Sequence, residues 1–229
     1  MITNILNKNL NFIIRCKQVK KIIGDRALAI TQDNLAFFPE INTVYNRIKK
    51  SANTSIFLFF DDLVQKEVPA NLSINSRKQA RSIRKVPFAQ ISMLNKCHSF
   101  TCVRNPYHRS ISGFLEKVGS GYQKNYAEYR GYGDPTASSF LDFLKQIDDW
   151  GTERINPHFI PQSNLLFQPI EYFSKVAKVE NLQLDMADFL EEIGKDPSHA
   201  EKLAQPHQLE KSIPNKITNS HARIDFLNS

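Results

Sequence analysis

Val44-Tyr45-Asn46-Arg47-Ile48-Lys49-Lys50-Ser51-Ala52-Asn53-Thr54-Ser55-Ile56 joins three local structures in one short run. Val44 and Ile48 flank Tyr45 in an apolar-alternating strand. Two lysines and a set of small residues follow, and Ile56-Phe57-Leu58-Phe59-Phe60 opens a helix. A strand, a tight polar loop and a helix start together form an anion-binding device. Loop N–H groups and the positive helix end converge on one point, and a lysine reaches the same point. The plain alternative is a basic turn between two core elements, and these residues alone do not separate the two.

A second unit of the same kind is Phe100-Thr101-Cys102-Val103-Arg104-Asn105-Pro106. Residues 100–103 predict a short buried strand. Asn105 and Pro106 predict a helix start, a capping side chain followed by a proline at the first helical position. Tyr107, Ile111, Phe114, Leu115 and Val118 then form an apolar stripe at helical spacing. Arg104 therefore falls at the carboxyl end of a strand, where open α/β sheets bind ligands, and Ser112 lies two turns along the helix.

The chain outside these two units is read by its periodicity. Residues 5–23 predict an amphipathic helix, 27–30 a short strand, and Asp33-Asn34 a turn. Phe37-Phe38-Pro39 leads into the opening strand. Arg77, Lys78, Arg81, Arg84 and Lys85 place five basic residues in nine positions, a positive stripe suited either to solvent or to an acidic substrate. Residues 119–134 predict a surface loop. Ser138 and Ser139 are expected to cap a helix with Phe140, Phe143, Leu144, Ile147 and Trp150 inward. Two prolines fix the backbone around His158. Residues 172–179 predict a strand, and 185–194 a helix with Met186, Phe189, Leu190 and Ile193 inward.

At 229 residues and 41% hydrophobic content, the chain is long enough for one core. The expected organisation is one domain over 1–229, its core at about 37–195 and a polar tail over 196–229. Lys and Arg exceed Asp and Glu by 30 to 23, a formal charge of +7 that favours an anionic partner. Cys16, Cys97 and Cys102 match neither a disulfide framework nor paired zinc-ligand spacing, which points to a reducing compartment. No apolar run reaches the roughly 18 residues of a membrane span, and residues 1–21 lack a signal-peptide core. A cytoplasmic protein is expected, with peripheral membrane contact left open. No G-x-x-x-x-G-K-[ST] or G-x-G-x-x-G is present, so an ordinary ATP loop and a dinucleotide fold have no support.

The motifs, taken in order, resemble sulfotransferases that use 3′-phosphoadenylyl sulfate (PAPS), in the branch acting on carbohydrates. That family's Pro-Lys-x-Gly-x-Thr-Ser loop is similar to Lys49-Lys50-Ser51-Ala52-Asn53-Thr54-Ser55. Its Val-Arg-Asn-Pro motif, with a serine eight residues after the arginine, is matched by Val103-Arg104-Asn105-Pro106 and Ser112. His-x-x-Pro-Gln is matched by His158, Pro161 and Gln162. A strand ending in Glu before an Asp-capped helix is matched by Lys178-Val179-Glu180-Asn181 and Asp185. Two positions depart from the pattern: Lys49 replaces a proline, and Ala52 a glycine that gives easy access to positive φ. The tail is short for the family, which reduces the expected acceptor surface.

The resemblance implies an α/β fold, a P-loop-NTPase-like central parallel sheet flanked by helices. It implies that Lys50 and the loop Ser51, Ala52, Asn53, Thr54 and Ser55 hold the 5′-phosphosulfate. It places Arg104 and Ser112 on the 3′-phosphate. The partner implied is a carbohydrate acceptor, not nucleic acid, and no metal is required. His158 is the first candidate base, with His98 and the Asp61/Asp62 pair as the others. Arg77, Arg81, Arg84, His98 and Gln162 are candidate substrate contacts. Glu180 is expected to tie loops together near the site, and Arg109 is left between a phosphate contact and a surface residue. A non-catalytic polyanion-binding module is the alternative of a different class. A small-molecule kinase is disfavoured by the missing ATP loop. Oligomeric state and acceptor identity are not encoded legibly.

Overall fold

The computed structural model describes residues 34–64, 72–83, 96–117, 137–150 and 156–203. The expected helix over 5–23, the strand over 27–30, the loop over 119–134 and most of the polar tail lie outside these residues, as do Cys16 and Arg84. By their contacts the described residues sort into two compact units. One holds those of Met1–Ile48, Ala52–Val103 and Gln162–Pro206; the other holds those of Lys49–Ser51, Arg104–Pro161 and His207–Ser229.

The first unit is built on a four-stranded sheet in the order β1 (Leu35–Phe38), β2 (Thr43–Asn46), β3 (His98–Val103), β4 (Lys175–Lys178). Strands β2, β3 and β4 are parallel, while β1 runs antiparallel to β2. The sheet thus has the expected parallel centre in an α/β fold, with one antiparallel strand, β1, added at its edge. The cause of the antiparallel pairing is local. Phe37-Phe38 do not merely lead into β2 but pair with it, because a turn at Pro39–Ile41 and a left-handed Asn42 (φ 47°) reverse the chain at once. So short a connection permits only antiparallel pairing, whereas parallel neighbours need a crossover. Both β1 and β2 are buried along their whole length.

Helices α1 (Asn53–Val64) and α5 (Leu182–Glu192) pack on this sheet. Phe60 of α1 lies 5.3 Å from Phe100 of β3 and 6.0 Å from Phe189 of α5, ring centroid to ring centroid. Tyr45 and Phe38 complete the aromatic cluster. Each such ring pair contributes about 0.5–1.5 kcal/mol beyond the area it buries. Met186, Phe189 and Leu190 face inward as their spacing predicts. Gly194, at φ 68°, ends the α5 turn, and the N–H of Lys195 bonds back to the Leu190 carbonyl at 2.7 Å. Strand β4 is shorter than the expected 172–179, since Ile170–Tyr172 form a separate 3-10 turn. A short helix α2 (Ile74–Ala80) also belongs to this unit.

The second unit pairs α3 (Pro106–Lys117) with α4 (Ala137–Trp150). Ile111, Phe114 and Leu115 meet Phe140, Phe143 and Phe159 in one core, with Leu144 and Ile147 packed against it. Tyr107, expected in the apolar stripe, is 74% exposed instead. Ser138 and Ser139 lie inside the first turn of α4 and do not precede it. Gly113 permits a close approach, since a Cβ there would stand 2.7 Å from Phe159 Cε1. Among the described residues no helix is long and apolar enough to cross a membrane.

Candidate active site

The donor-loop candidate begins where β2 ends. Asn46 is buried and pinned, its amide donating to the Leu165 carbonyl at 3.2 Å and accepting from the Phe167 N–H at 2.9 Å. Beyond it, Lys50 (φ 71°) and Ala52 (φ 52°) both take left-handed backbone. Each costs about 1–2 kcal/mol because Cβ crowds the following carbonyl. Ala52 thus adopts the conformation a glycine would reach freely. Ser51 between them is fully buried, and the Ile56 N–H to the Ala52 carbonyl (3.0 Å) starts helix α1. In the first turn, Arg47 Nε donates to Asn53 Oδ1 at 3.1 Å and Lys78 Nζ to Thr54 Oγ1 at 2.9 Å. Both cations lie over the Phe57 ring. Burial, and then the Arg47 charge, lowers the Lys78 ammonium to a pKa of about 8.

Helix α3 clasps the preceding part of the loop. Its start is fixed by Asn105, whose Oδ1 accepts from the N–H groups of Tyr107 (3.0 Å) and His108 (3.3 Å). Arg104, just before that cap, donates to the Lys50 carbonyl at 3.3 Å. Arg109, Ser112 and Glu116 stand at i, i+3 and i+7, on one helix face. Arg109 Nε donates to the Lys49 carbonyl at 3.0 Å, and Glu116 Oε2 forms an ion pair with the Lys50 ammonium. Ser112 is buried between those two levels of the helix. Glu116 Oε1 also takes Lys117 at 2.8 Å.

Arg109 reaches a third segment as well. Its Nη1 donates to the Ile160 carbonyl at 2.9 Å and its Nη2 to the Pro157 carbonyl at 3.3 Å, on either side of His158. Burial lowers the guanidinium pKa to about 10, which leaves it charged at neutral pH. His158 Nδ1 lies 2.5 Å from Asn156 Oδ1, which also accepts the His158 N–H at 3.1 Å. An amide oxygen only accepts, so Nδ1 carries the proton and Nε2 keeps a lone pair. Burial, followed by the charges of Lys49, Lys117, Lys50 and Arg109, drives the imidazole pKa down to about 2.

The sulfotransferase family model matches residues 33–227, well over half of the chain. The chain belongs to the sulfotransferase family. No curated protein and no solved structure matches it.

Within this sulfotransferase, the other expected site residues fall in different places. Arg77 and Arg81, expected at an acidic substrate, are committed to carboxylates of their own unit. Arg77 Nε donates to Asp61 Oδ2 at 2.6 Å and pairs with Asp62, and Arg81 binds Asp61 Oδ1 at 3.0 Å and Glu40 at 2.8 Å. Asp61 is fully buried beneath both arginines, so it serves as their counter-ion, which removes it as a candidate base. No acid alternates with the basic stripe in sequence; the acids come from α1 and from the turn before β2. His98 opens β3, five residues before its carboxyl end, or about 16 Å of strand. There Nδ1 contacts Glu192 at 3.2 Å and the ring stands edge-on to Phe189. Gln162 begins a 3-10 turn in the sheet unit. Asp185 accepts the Lys178 N–H at 2.8 Å and an ion pair from Lys175, tying β4 to α5. Among the described residues no group of three or more His, Cys, Asp or Glu could hold a metal ion.

Two residues of the clasp carry little local signal in the sequence. Arg109 is marked only by its i, i+3 spacing from Ser112, which places it on that residue's helix face. Glu116 had no local signal at all, since its partner Lys50 is 66 positions away.

Proposed function

We propose that the chain moves a sulfuryl group from PAPS to a hydroxyl of a carbohydrate acceptor (a polysaccharide, oligosaccharide or glycolipid). The observation that carries this reading is the clasp. One helix, entered at Arg104, holds the Lys49 and Lys50 carbonyls through Arg109 and Arg104 and the Lys50 ammonium through Glu116, which also pairs with Lys117, at a loop bent through two left-handed residues. Such a concentration of cations and bent backbone suits a donor phosphorylated at both ends. Lys50 and the following backbone, Ser51 to Ser55, take the 5′-phosphosulfate. Arg104 and Ser112 take the 3′-phosphate, where a planar guanidinium matches phosphate geometry.

The reaction needs an in-line nucleophile, charge stabilisation and a base. The acceptor oxygen bonds to sulfur as the sulfur–oxygen bond to phosphate breaks. That electron pair leaves on the phosphate oxygen, which the Lys50 ammonium stabilises. His158 Nε2 takes the hydroxyl proton. Burial suppresses its basicity first and the surrounding cations second, and the negative charges of the bound donor offset those cations. The part of the suppression due to the cations is thus relieved when the donor is in place.

A thermal-shift titration with 3′-phosphoadenosine 5′-phosphate tests the donor. At 100-fold over its dissociation constant it should stabilise the wild type by about 2.7 kcal/mol, and Arg104→Ala should blunt the shift. A wild type with no shift ends the proposal. Transfer of labelled sulfate across a panel of glycans and glycolipids then identifies the acceptor. Lys50→Ala should lower turnover on the order of 10²–10³-fold. The non-catalytic polyanion module predicts instead salt-sensitive heparin or nucleic-acid binding that survives Lys50→Ala. That reading is weakened by the internal pairing of Arg77 and Arg81.

A further inference from the structure

Glu116 holds a cation on each of its oxygens, Lys50 on Oε2 and Lys117 on Oε1 at 2.8 Å. The Lys50 side chain is only 10% exposed and Glu116 27%, so the pair is largely shielded from water. Shielding strengthens the pair and equally strengthens repulsion between Glu116 and any anion brought to Lys50. Lys50 cannot serve a phosphosulfate and keep its full contact with Glu116. Lys117 offers the carboxylate a way out, because Glu116 stays neutralised by its second partner when the first is taken. Resting on the donor reading above, we infer that Glu116 is a positioning residue that stores Lys50 against helix α3 and surrenders it to the donor, while Lys117 retains the carboxylate.

The exchange makes donor affinity a competition. The carboxylate lowers affinity by stabilising the donor-free state, and Lys117 eases the exchange by sharing the negative charge. Removing the charge at Glu116 therefore tightens donor binding, whereas removing Lys117 weakens it. A residue that merely supports the fold would weaken binding in both cases.

The test is calorimetric titration of 3′-phosphoadenosine 5′-phosphate at fixed ionic strength into wild type, Glu116→Gln, Lys117→Gln, Lys50→Ala and the Lys50→Ala/Glu116→Gln double variant. Glu116→Gln should bind about three- to tenfold more tightly than wild type, and Lys117→Gln more weakly by a similar factor. The gain from Glu116→Gln should vanish in the Lys50→Ala background, since the carboxylate then has no lysine to withhold. The glutamine variant should also melt lower without ligand and show a larger ligand-induced rise. Equal or weaker binding by Glu116→Gln overturns the inference, as does a gain that persists without Lys50. A wild type that does not bind the nucleotide at all overturns the donor reading itself, a separate outcome.

Discussion

Arg109 Nε donates to the carbonyl of Lys49 across 60 positions of sequence, at 3.0 Å, while the rest of the same guanidinium holds the carbonyls of Pro157 and Ile160. One side chain therefore fixes the spacing between the loop that follows β2 and the segment that carries His158. Arg109→Ala leaves three carbonyls without their donor, each costing about 1–3 kcal/mol when buried. The expected loss is on the order of 3 kcal/mol in urea denaturation, with turnover falling as well. Arg109→Lys should recover little of it, because an ammonium on a single stem cannot fork to three acceptors. Full stability in the lysine variant would show that the fork is dispensable.

Gly113 lies on the inner face of α3, opposite the Phe159 ring. Alanine gains about 1 kcal/mol in helix propensity there. The same methyl would stand 2.7 Å from Phe159 Cε1, and that ring already rests 4.7 Å from Phe143, centroid to centroid. Overpacking of this kind costs about 1–3 kcal/mol, so the clash wins. Gly113→Ala should melt lower than wild type and lose turnover, because the displaced ring is the residue next to His158. A higher melting temperature would contradict the close approach.

The imidazole of His158 gives the folded state a pH signature. Burial and the surrounding cations lower its pKa from 6.5 to about 2. Below pH 6.5 the unfolded chain takes up a proton that the folded chain refuses. The His158 contribution is therefore fully present above pH 6.5 and is lost progressively as pH falls towards 2. Relative to His158→Asn, wild type should lose up to about 2 kcal/mol between pH 7 and 5. Parallel stability curves for the two proteins would place the imidazole in solvent.

Asp61 supports Arg77 and Arg81 from beneath and is fully buried, while Asp62 beside it is 55% exposed. Breaking a buried network by removing its shared carboxylate costs about 3–5 kcal/mol. Asp61→Asn should approach that loss, and Asp62→Asn should stay within about 1 kcal/mol. Turnover per folded molecule should survive Asp61→Asn. A selective loss of turnover without loss of stability would return Asp61 to the list of bases.

The sequence by itself determined the elements whose cause lies within a few residues. Asn105 and Pro106 start α3 because a cap and a proline act on their own helix turn. The apolar spacing of Ile111, Phe114 and Leu115, of Phe140 and Phe143, and of Phe189 and Leu190 marked the buried faces. The ordered motifs also carried the family, since loop, arginine and serine types are readable one at a time.

Only the tertiary structure decided which charge meets which. It sent Arg77 and Arg81 to Asp61, gave Lys50 to Glu116, and wound Arg109 around the carbonyls of two distant segments. It also turned β1 antiparallel through a four-residue reversal that the phenylalanines alone did not announce. The loop after β2 is legible in the sequence as a strand, two lysines and a helix. What that loop does with Lys50 depends on a carboxylate 66 positions away, because ion pairs follow distance in space and leave no local pattern in the chain.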